Sequence, residues 1–370
     1  LLGASIQSVS EPTLGCFITS HGFGHASRSL AVLTELQALV PALRFEVFTQ
    51  TPYWFLAENL DPACFTHHDV NVDVGLVQKN PFQHDLPATL ERLKDFLPLS
   101  KSTIDPLVTT LSHSSCRAIF CDISALGIAV ANAIGIPSIL LENFTWDWMY
   151  EEYLDEMPAF SDSIECIRSV YAQANLHLQT EPVCNPITGA LTIPPISRRF
   201  RVSRETTRSS LDVLPEEHLV LLTTGGIRGS YDMLDRLRER SEVRFLLSGS
   251  SDTLQNEANL IHLPHRSGYH HPDLVGASDA LVGKAGYGTV AEVRSAGSPF
   301  ARVLRDNFRE SPVLGAYLDK HILGFTLSDS QFNCGSWIDR LDELLSQPRN
   351  DNGNDNGASL AAAHIVPFLQ

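Results

Sequence analysis

Positive charge, paired cysteines and long apolar runs are all scarce in this sequence. Its 370 residues hold 27 Lys and Arg against 43 Asp and Glu, a net charge of −16 at pH 7. This surplus of negative charge argues against nucleic-acid partners and against broad adhesion to anionic membranes. No run of about 18 apolar residues occurs, so the sequence predicts no transmembrane segment. The length predicts a globular protein of two domains, each with its own core.

The seven cysteines form no C-x-x-C pair, and their number is odd. Scattered cysteines of this kind favour reduced thiols over a disulfide framework. We therefore expect a cytoplasmic protein. The sequence leaves its oligomeric state open.

A glycine-rich turn follows the first apolar run. We predict a strand over residues 15–19, a turn over 20–25, a helix over 27–40 and a strand over 45–49, the βαβ unit that begins a doubly wound sheet. His25 falls just before the predicted helix, where the helix dipole favours a neutral imidazole that can accept a proton. It is a candidate general base. In the alternative reading, His21 and His25 only hydrogen-bond the turn.

A second polar residue is predicted at the same edge of the sheet. Residues 118–121 predict a strand that ends at Asp122, with a helix over 124–134 behind it. Because parallel strands end at one edge of a sheet, we expect Asp122 on the edge that carries His25. There it either orients His25 and stabilises the protonated ring, or caps the following helix.

Residues 143–153 hold two of the four tryptophans. Flat aromatic faces beside carboxylates suit a sugar or another amphipathic acceptor. Their helical spacing is equally typical of a core helix.

After residue 180 the chain becomes rich in proline and arginine and has few periodic apolar residues. We predict an N-terminal Rossmann-like domain over 1–180, a proline- and arginine-rich linker over 181–215, a second Rossmann-like domain over 216–348, and a mobile segment with a terminal helix over 349–370. The second domain begins with a strand over 218–224 and a glycine turn over 225–229.

The stretch 283–292 combines a short strand, three glycines within six residues and a helix start. Unpaired backbone N–H groups and the positive end of a helix dipole meet there, which predicts a phosphate site. The same residues are also compatible with a capping box between Thr289 and Glu292, or with a connection between strand and helix that binds no ligand.

Together these motifs resemble the GT-B fold of nucleotide-sugar glycosyltransferases. The likeness is to glycosyltransferase-like proteins that share their pattern with the N-terminal region of plant L-arabinokinase. The family motif Gly-His-Gly-Phe-Gly-His-Ala-Thr-Arg stands here as Ser20-His21-Gly22-Phe23-Gly24-His25-Ala26-Ser27-Arg28. The resemblance implies an α/β protein with two Rossmann-like domains facing each other across a cleft.

The resemblance also implies an inverting, metal-independent transferase that moves a sugar from a nucleotide-sugar donor, expected to be a UDP-sugar, to a hydroxyl acceptor. His25 would be the base and Asp122 its partner. Donor contacts are expected at Gly225, Gly226, Arg228, Lys284, Gly286, Gly288, Thr289, Glu292, Arg309 and Glu310, and acceptor contacts at His21, Phe23, Asn143, Trp146 and Trp148.

No D-x-D motif occurs, so we expect no metal, and no cofactor because the nucleotide-sugar is itself a substrate. Two alternatives remain on the same fold. One is a UDP-sugar epimerase, which needs no acceptor. The other is a non-catalytic nucleotide-sugar-binding protein. The donor sugar, its base and the acceptor are left open.

Overall fold

Two seven-stranded sheets form the centre of the protein. The computed structural model describes residues 11–80, 83–223, 231–305, 308–350 and 356–370. In the first sheet the strands lie side by side in the order 65–68, 44–48, 13–18, 116–122, 138–142, 176–180 and 191–193. In the second sheet the order is 255–257, 260–264, 243–251, 218–223, 280–284, 300–303 and 324–327. Every neighbouring pair is parallel except 255–257 with 260–264. The predicted α/β fold with two Rossmann-like domains is confirmed.

The first domain carries nine strands, of which β4 and β5 form a separate small hairpin. The strands are β1 (Thr13–Ile18), β2 (Arg44–Phe48), β3 (Phe65–His68), β4 (Gln78–Asn80), β5 (Gln83–His84), β6 (Cys116–Asp122), β7 (Ser138–Glu142), β8 (Leu176–Thr180) and β9 (Leu191–Ile193). The helices are α1 (Phe23–Leu39), α2 (Tyr53–Ala57), α3 (Leu86–Phe96), α4 (Lys101–Ser112), α5 (Ala125–Ile134), α6 (Trp146–Glu151) and α7 (Ser161–Tyr171).

The second domain follows the helix α8 (Arg204–Ser210). Its strands are β10 (His218–Thr223), β11 (Val243–Ser251), β12 (Gln255–Glu257), β13 (Leu260–Pro264), β14 (Ala280–Lys284), β15 (Phe300–Val303) and β16 (Gly324–Leu327). Its helices are α9 (Leu234–Glu239), α10 (His271–Ala277), α11 (Tyr287–Ala296), α12 (Ser311–His321), α13 (Asp329–Cys334) and α14 (Leu341–Leu345); α15 (Gly357–Ile365) follows.

Hydrophobic residues cover both faces of each sheet, as parallel strands require. In the first domain, alternate residues of β1 point to opposite cores: Leu14 and Cys16 pack on one side and Phe17 on the other. All three are fully buried. No helix in the described ranges is both long enough and apolar enough to cross a membrane.

The stretch predicted as a linker contains regular structure. The strand β9 pairs with β8 and so completes the first sheet. The helix α8 packs on α10 of the second domain, where Arg204 and Arg208 both bond Asp279. The stretch also supplies apolar side chains to both cores, Ile193 and Ile196 to the first domain and Leu211 and Val213 to the second.

The C-terminal helix α15 returns to the first domain and packs on α1. Ala358, Ala361, Ala362 and Ile365 join the core on that side of the first sheet. The small side chains allow the two helices to approach closely. The end of the chain is therefore part of the first domain.

Helix α1 begins four residues earlier than its predicted start at residue 27. Gly22 precedes it with φ of 93°, a conformation that suits glycine, and the chain enters the helix at Phe23. His25 consequently lies in the first turn of α1. The glycine-rich pattern had instead predicted a position just before the helix.

Candidate active site

The strand order of each sheet reverses at one point, between β1 and β6 in the first and between β10 and β14 in the second. Doubly wound sheets bind ligands beyond the carboxyl ends of the strands at such points. Here both points open into one cleft of about 1020 Å³ between the domains. A Cβ added to Gly288, at the start of α11, would lie 3.3 Å from the Cα of Gly24 in α1. The two helix starts therefore meet backbone to backbone.

His25 is held by Asp122 at the first of these points. Its Nδ1 lies 2.9 Å from Oδ1 of Asp122, the last residue of β6, which is fully buried. The His25 side chain is 11% exposed and lines the cleft. With Nδ1 engaged by the carboxylate, Nε2 is the ring atom available to a substrate. The arrangement can accept a proton from a hydroxyl.

Arg28 also binds Asp122, one helical turn after His25. The guanidinium donates from Nε to Oδ2 over 2.6 Å and from a terminal nitrogen to Oδ1 over 2.7 Å, while Ser29 Oγ donates to Oδ2 over 2.8 Å. Spacings of three and four residues place these side chains on one face of α1. Burial alone would raise the pKa of Asp122, but the charges and hydrogen bonds of Arg28 and His25 outweigh it and lower the pKa to about 2.

Asn143 lies behind this network and is 2% exposed. Its side-chain oxygen accepts a hydrogen bond from Arg28, and its amide donates to the carbonyl of Thr180 over 2.6 Å. We predicted an acceptor contact at Asn143. The structure places it as a support for Arg28.

Asp73 also lines the cleft, although it is not among the predicted site residues. It accepts a hydrogen bond from Trp146 Nε1 over 2.9 Å. Burial raises its pKa to about 6, although hydrogen bonds from Thr19 and Trp146 act in the opposite direction. The neighbouring His21 also lines the cleft, and its pKa is lowered to about 3, first by burial and then by His25. His21 is therefore a neutral ring at physiological pH.

The start of α11 forms the second-domain side of the cleft. Gly286 is its N-cap, no side chain caps it, and Gly286 and Gly288 line the cleft together with Lys284 at the end of β14. Burial lowers the pKa of Lys284 to about 8, and the charge of Arg305 adds to this shift. Arg305 in turn donates to Glu310 over 2.6 Å. Helix N–H groups without a side-chain cap, with two cations beside them, are an arrangement that can bind an anion.

The capping box between Thr289 and Glu292, which the sequence allowed as an alternative, does not form, because α11 begins at Tyr287 with Gly286 as its cap. Thr289 lies inside the first turn and lines the cleft. Both oxygens of Glu292 are instead engaged, Oε2 by His271 Nδ1 at 2.6 Å and Oε1 by Arg198 at 3.0 Å. Burial raises the pKa of Glu292, but His271 and Arg198 outweigh it and lower the pKa to about 2.

The remaining predicted residues are divided between the cleft and the core. Phe23 lines the cleft and packs on Phe55 with ring centroids 4.6 Å apart. Trp146 and Trp148 are core residues, 2% and 9% exposed. Their helical spacing therefore reflects packing in the first domain.

Arg309 joins the two domains. Its guanidinium lies 4.2 Å from the ring centroid of Trp148, donates to the carbonyl of that residue and contacts Glu151 at 2.9 Å. Glu310, beside it, lines the cleft. Gly225, Gly226 and Arg228 lie outside the described residues. Within the part of the chain that is described, no three His, Cys, Asp or Glu side chains are grouped to hold a metal ion.

This architecture, with two doubly wound domains and a cleft between their switch points, is the GT-B fold. Solved structures that share this fold include glycosyltransferases. The glycotransferase of kitacinnamycin matches with a TM-score of 0.66 over 97% of this chain and 99% of that chain, at 14% identity. SnogD from Streptomyces nogalater matches with a TM-score of 0.62 over 97% and 100%, at 17% identity. UGT89C1 of Arabidopsis thaliana, complexed with UDP, matches with a TM-score of 0.61 over 97% and 99%, at 14% identity.

Among curated proteins, L-arabinokinase of Arabidopsis thaliana is 27% identical over 354 residues, which are 95% of this chain and 34% of that protein. The chain thus spans about a third of the length of this relative. No protein-family model matches. The resemblance to GT-B glycosyltransferase-like proteins that the sequence predicted is confirmed.

Proposed function

We propose that the protein is an inverting, metal-independent glycosyltransferase that uses a nucleotide-sugar donor. One observation carries the proposal: His25, held by the buried Asp122, and the uncapped start of α11 line the same cleft from opposite domains. A proton acceptor on one side and an anion site on the other are what sugar transfer from a diphosphate requires.

In the proposed reaction, Nε2 of His25 takes the proton of an acceptor hydroxyl. The hydroxyl oxygen forms a bond to the anomeric carbon from one face, while the bond from that carbon to the diphosphate breaks on the other, so the configuration inverts. Asp122 stabilises the imidazolium that forms. The nucleoside diphosphate leaves with its negative charge held by the backbone N–H groups at the start of α11 and by Lys284.

Two structures of one solved protein of the same fold support the choice of substrates. UGT89C1 of Arabidopsis thaliana has been crystallised with UDP and, separately, with quercetin. We infer a UDP-sugar donor and a hydroxyl acceptor for this chain. All seven cysteines are free thiols, which suits the reducing environment of the cytoplasm.

The first test is thermal unfolding with nucleoside diphosphates and UDP-sugars in EDTA. A ligand at one hundred times its dissociation constant adds about 2.7 kcal/mol of stability, which is readily measured as a rise of the midpoint. Release of UDP from the donor that binds is then measured with an acceptor panel. If no diphosphate raises the midpoint, or if binding requires a divalent metal, the proposal fails.

The second test separates catalysis from binding. We expect His25→Ala to keep the midpoint rise with UDP and to lose turnover. His364→Ala is the matched control, since His364 lies exposed in α15. Loss of UDP binding in His25→Ala would contradict the role of a base. Sugar isomers formed from donor alone would identify an epimerase, and donor binding without any turnover a non-catalytic binder.

A further inference from the structure

The segment between β3 and β4 has no regular secondary structure, yet buried side chains hold its backbone. Residues 69–77 form neither helix nor strand. Ser124, the N-cap of α5, donates to the carbonyl of Val72 over 2.9 Å, and Tyr150 of α6 donates to the carbonyl of Gly75 over 2.8 Å. Both donor residues are fully buried. The segment is therefore fixed to the core of the first domain at more than one point.

Gly75 is the position at which this segment packs on the glycine-rich turn before α1. Its φ is 63°, in the left-handed region, and a Cβ there would lie 2.8 Å from Nδ1 of His21. The indole of Trp146 meets the same imidazole edge to face, with ring centroids 5.3 Å apart. The segment thus lies beside the turn that leads to His25.

Asp73 is the charged residue that this segment brings to the cleft. It is 9% exposed and lines the cleft. Its Oδ2 accepts a hydrogen bond from Trp146 Nε1 over 2.9 Å, and Thr19 donates a second bond to the carboxylate. Both donors are neutral groups, so they orient the carboxylate without neutralising its charge.

The electrostatic surroundings of Asp73 place it at the end of the cleft that holds the proposed base. After burial and its two hydrogen bonds, the charges of His25 and Asp122 are the next influences on its pKa. With a pKa of about 6 the side chain is ionised at pH 7, and an ionised carboxylate only accepts hydrogen bonds. A carboxylate has about four acceptor positions, of which the two hydrogen bonds occupy two. The others remain for a donor group of a ligand in the cleft.

Polar and aliphatic side chains surround Asp73 on this wall of the cleft. Asn71 and Gln78, on either side of it in the sequence, line the cleft as well. Trp146 and Trp148, the flat faces predicted for an acceptor, are buried in the core, and the first of them acts on the cleft through Asp73. The segment also brings three aliphatic side chains to the cleft, Val74, Leu76 and Val77. Amides, a carboxylate and aliphatic contacts suit a compact molecule with several hydroxyls.

We propose that Asp73 selects the acceptor by accepting a hydrogen bond from a hydroxyl next to the one that His25 deprotonates. The acceptor is therefore a polyol, a compound with neighbouring hydroxyls such as a sugar. Trp146 is a positioning residue that holds the carboxylate. This inference deepens the proposed function and rests on it, because it takes the His25 side of the cleft as the acceptor side.

The first test observes binding without turnover. The chain has four tryptophans, so its NMR spectrum holds few indole N–H signals, and the one missing from Trp146→Phe belongs to Trp146. The full chain, with and without UDP, is titrated with cis- and trans-cyclohexane-1,2-diol and with cyclohexanol. We expect one diol to shift the Trp146 signal at concentrations at which cyclohexanol does not. A signal that neither diol moves, or that cyclohexanol moves equally, would overturn the proposal.

The second test measures transfer to the same three alcohols from the donor that binds. We expect the KM of the wild type for the better diol to be about tenfold or more below its KM for cyclohexanol, as a hydrogen bond to a charged group commonly gives. Asp73→Asn keeps an oxygen for Trp146 and should remove this difference, while kcat and the midpoint rise with UDP stay. Asp69→Asn is the matched control, because Asp69 is exposed on the same segment and does not line the cleft.

The outcomes separate this inference from the proposed function. If Asp73→Asn loses activity equally toward diol and cyclohexanol, Asp73 only supports the segment and the inference is wrong. UDP binding and transfer without any preference for a diol would leave the proposed function standing and overturn the inference. A shift of the Trp146 signal that is specific to a diol, without UDP binding or turnover, supports the polyol site and counts against the transferase.

Discussion

Replacing Asp122 by Asn tests whether this carboxylate balances a buried charge as well as orienting a base. The substitution keeps the shape of the side chain but removes the charge opposite Arg28, whose side chain is 5% exposed. Among the described residues, that guanidinium would then keep only neutral side-chain oxygens, those of Asn143 and of the new amide. Breaking a buried ion pair from one side costs about 3–5 kcal/mol. At about 2–4 °C per kcal/mol for a domain of this size, the unfolding midpoint should fall by roughly 6–20 °C.

The measurement is thermal unfolding of three variants near pH 7. Asp122→Asn should lose stability, His25→Ala should lose little, and the double variant Arg28→Met with Asp122→Asn should regain part of the loss because no unpaired charge remains. Since the folded pKa of Asp122 is about 2 against a usual 3.8, its stabilising effect is complete above pH 3.8 and lost as the pH falls through 2. An unchanged midpoint in Asp122→Asn would refute the reasoning.

Three more outcomes follow from single residues. Burial lowers the pKa of Lys284 to about 8, so UDP affinity measured by calorimetry should fall as the pH rises through 8, and Lys284→Arg should remove that dependence. A Cβ at Gly283 would stand 1.9 Å from the carbonyl oxygen of Thr223, so Gly283→Ala should cost more than about 3 kcal/mol in urea unfolding; a smaller loss would show that the strands separate easily. Cys334 is exposed while Cys16 is fully buried with a raised pKa, so a thiol reagent should label Cys334 first in the native protein, and early labelling of Cys16 would contradict the described core.

Local signals predicted the elements that carry the site. Apolar runs followed by glycine turns indicated β1 with α1 and β14 with α11, and the parallel-sheet rule placed Asp122 on the edge that bears His25. These inferences succeed because a buried strand and the turn after it are encoded within about ten residues. Helix starts were less predictable. A glycine in the first turn of a helix, such as Gly24 in α1, cannot be told in the sequence from a glycine in the loop before the helix.

Contacts between distant segments could not be predicted. Arg28 and Asp122 are 94 positions apart, as are Arg198 and Glu292. Asp73 was not among the predicted site residues, because its loop has no periodic pattern and its hydrogen-bond partner Trp146 is 73 positions away. Trp146 and Trp148 lie in the core, but an exposed aromatic surface would show the same helical spacing. Periodicity alone therefore cannot distinguish a core helix from an acceptor surface. At Glu292 the local capping-box pattern is overridden by distant contacts, because Arg198 and His271 bind its carboxylate.

The close approach of Gly24 and Gly288 has an electrostatic consequence. Both helices point their N-termini, and hence their positive dipole ends, into the cleft, and neither α1 nor α11 has an acidic residue in its first turn. Two like partial charges in contact disfavour the close approach of the two helix starts unless an anion lies beside them. Each helix end contributes about 0.3–1 kcal/mol toward binding such an anion, more where water is excluded. A diphosphate in the cleft would therefore favour the arrangement that brings His25 beside the donor, and the absence of acidic residues from the first turns of α1 and α11 suits such an anion.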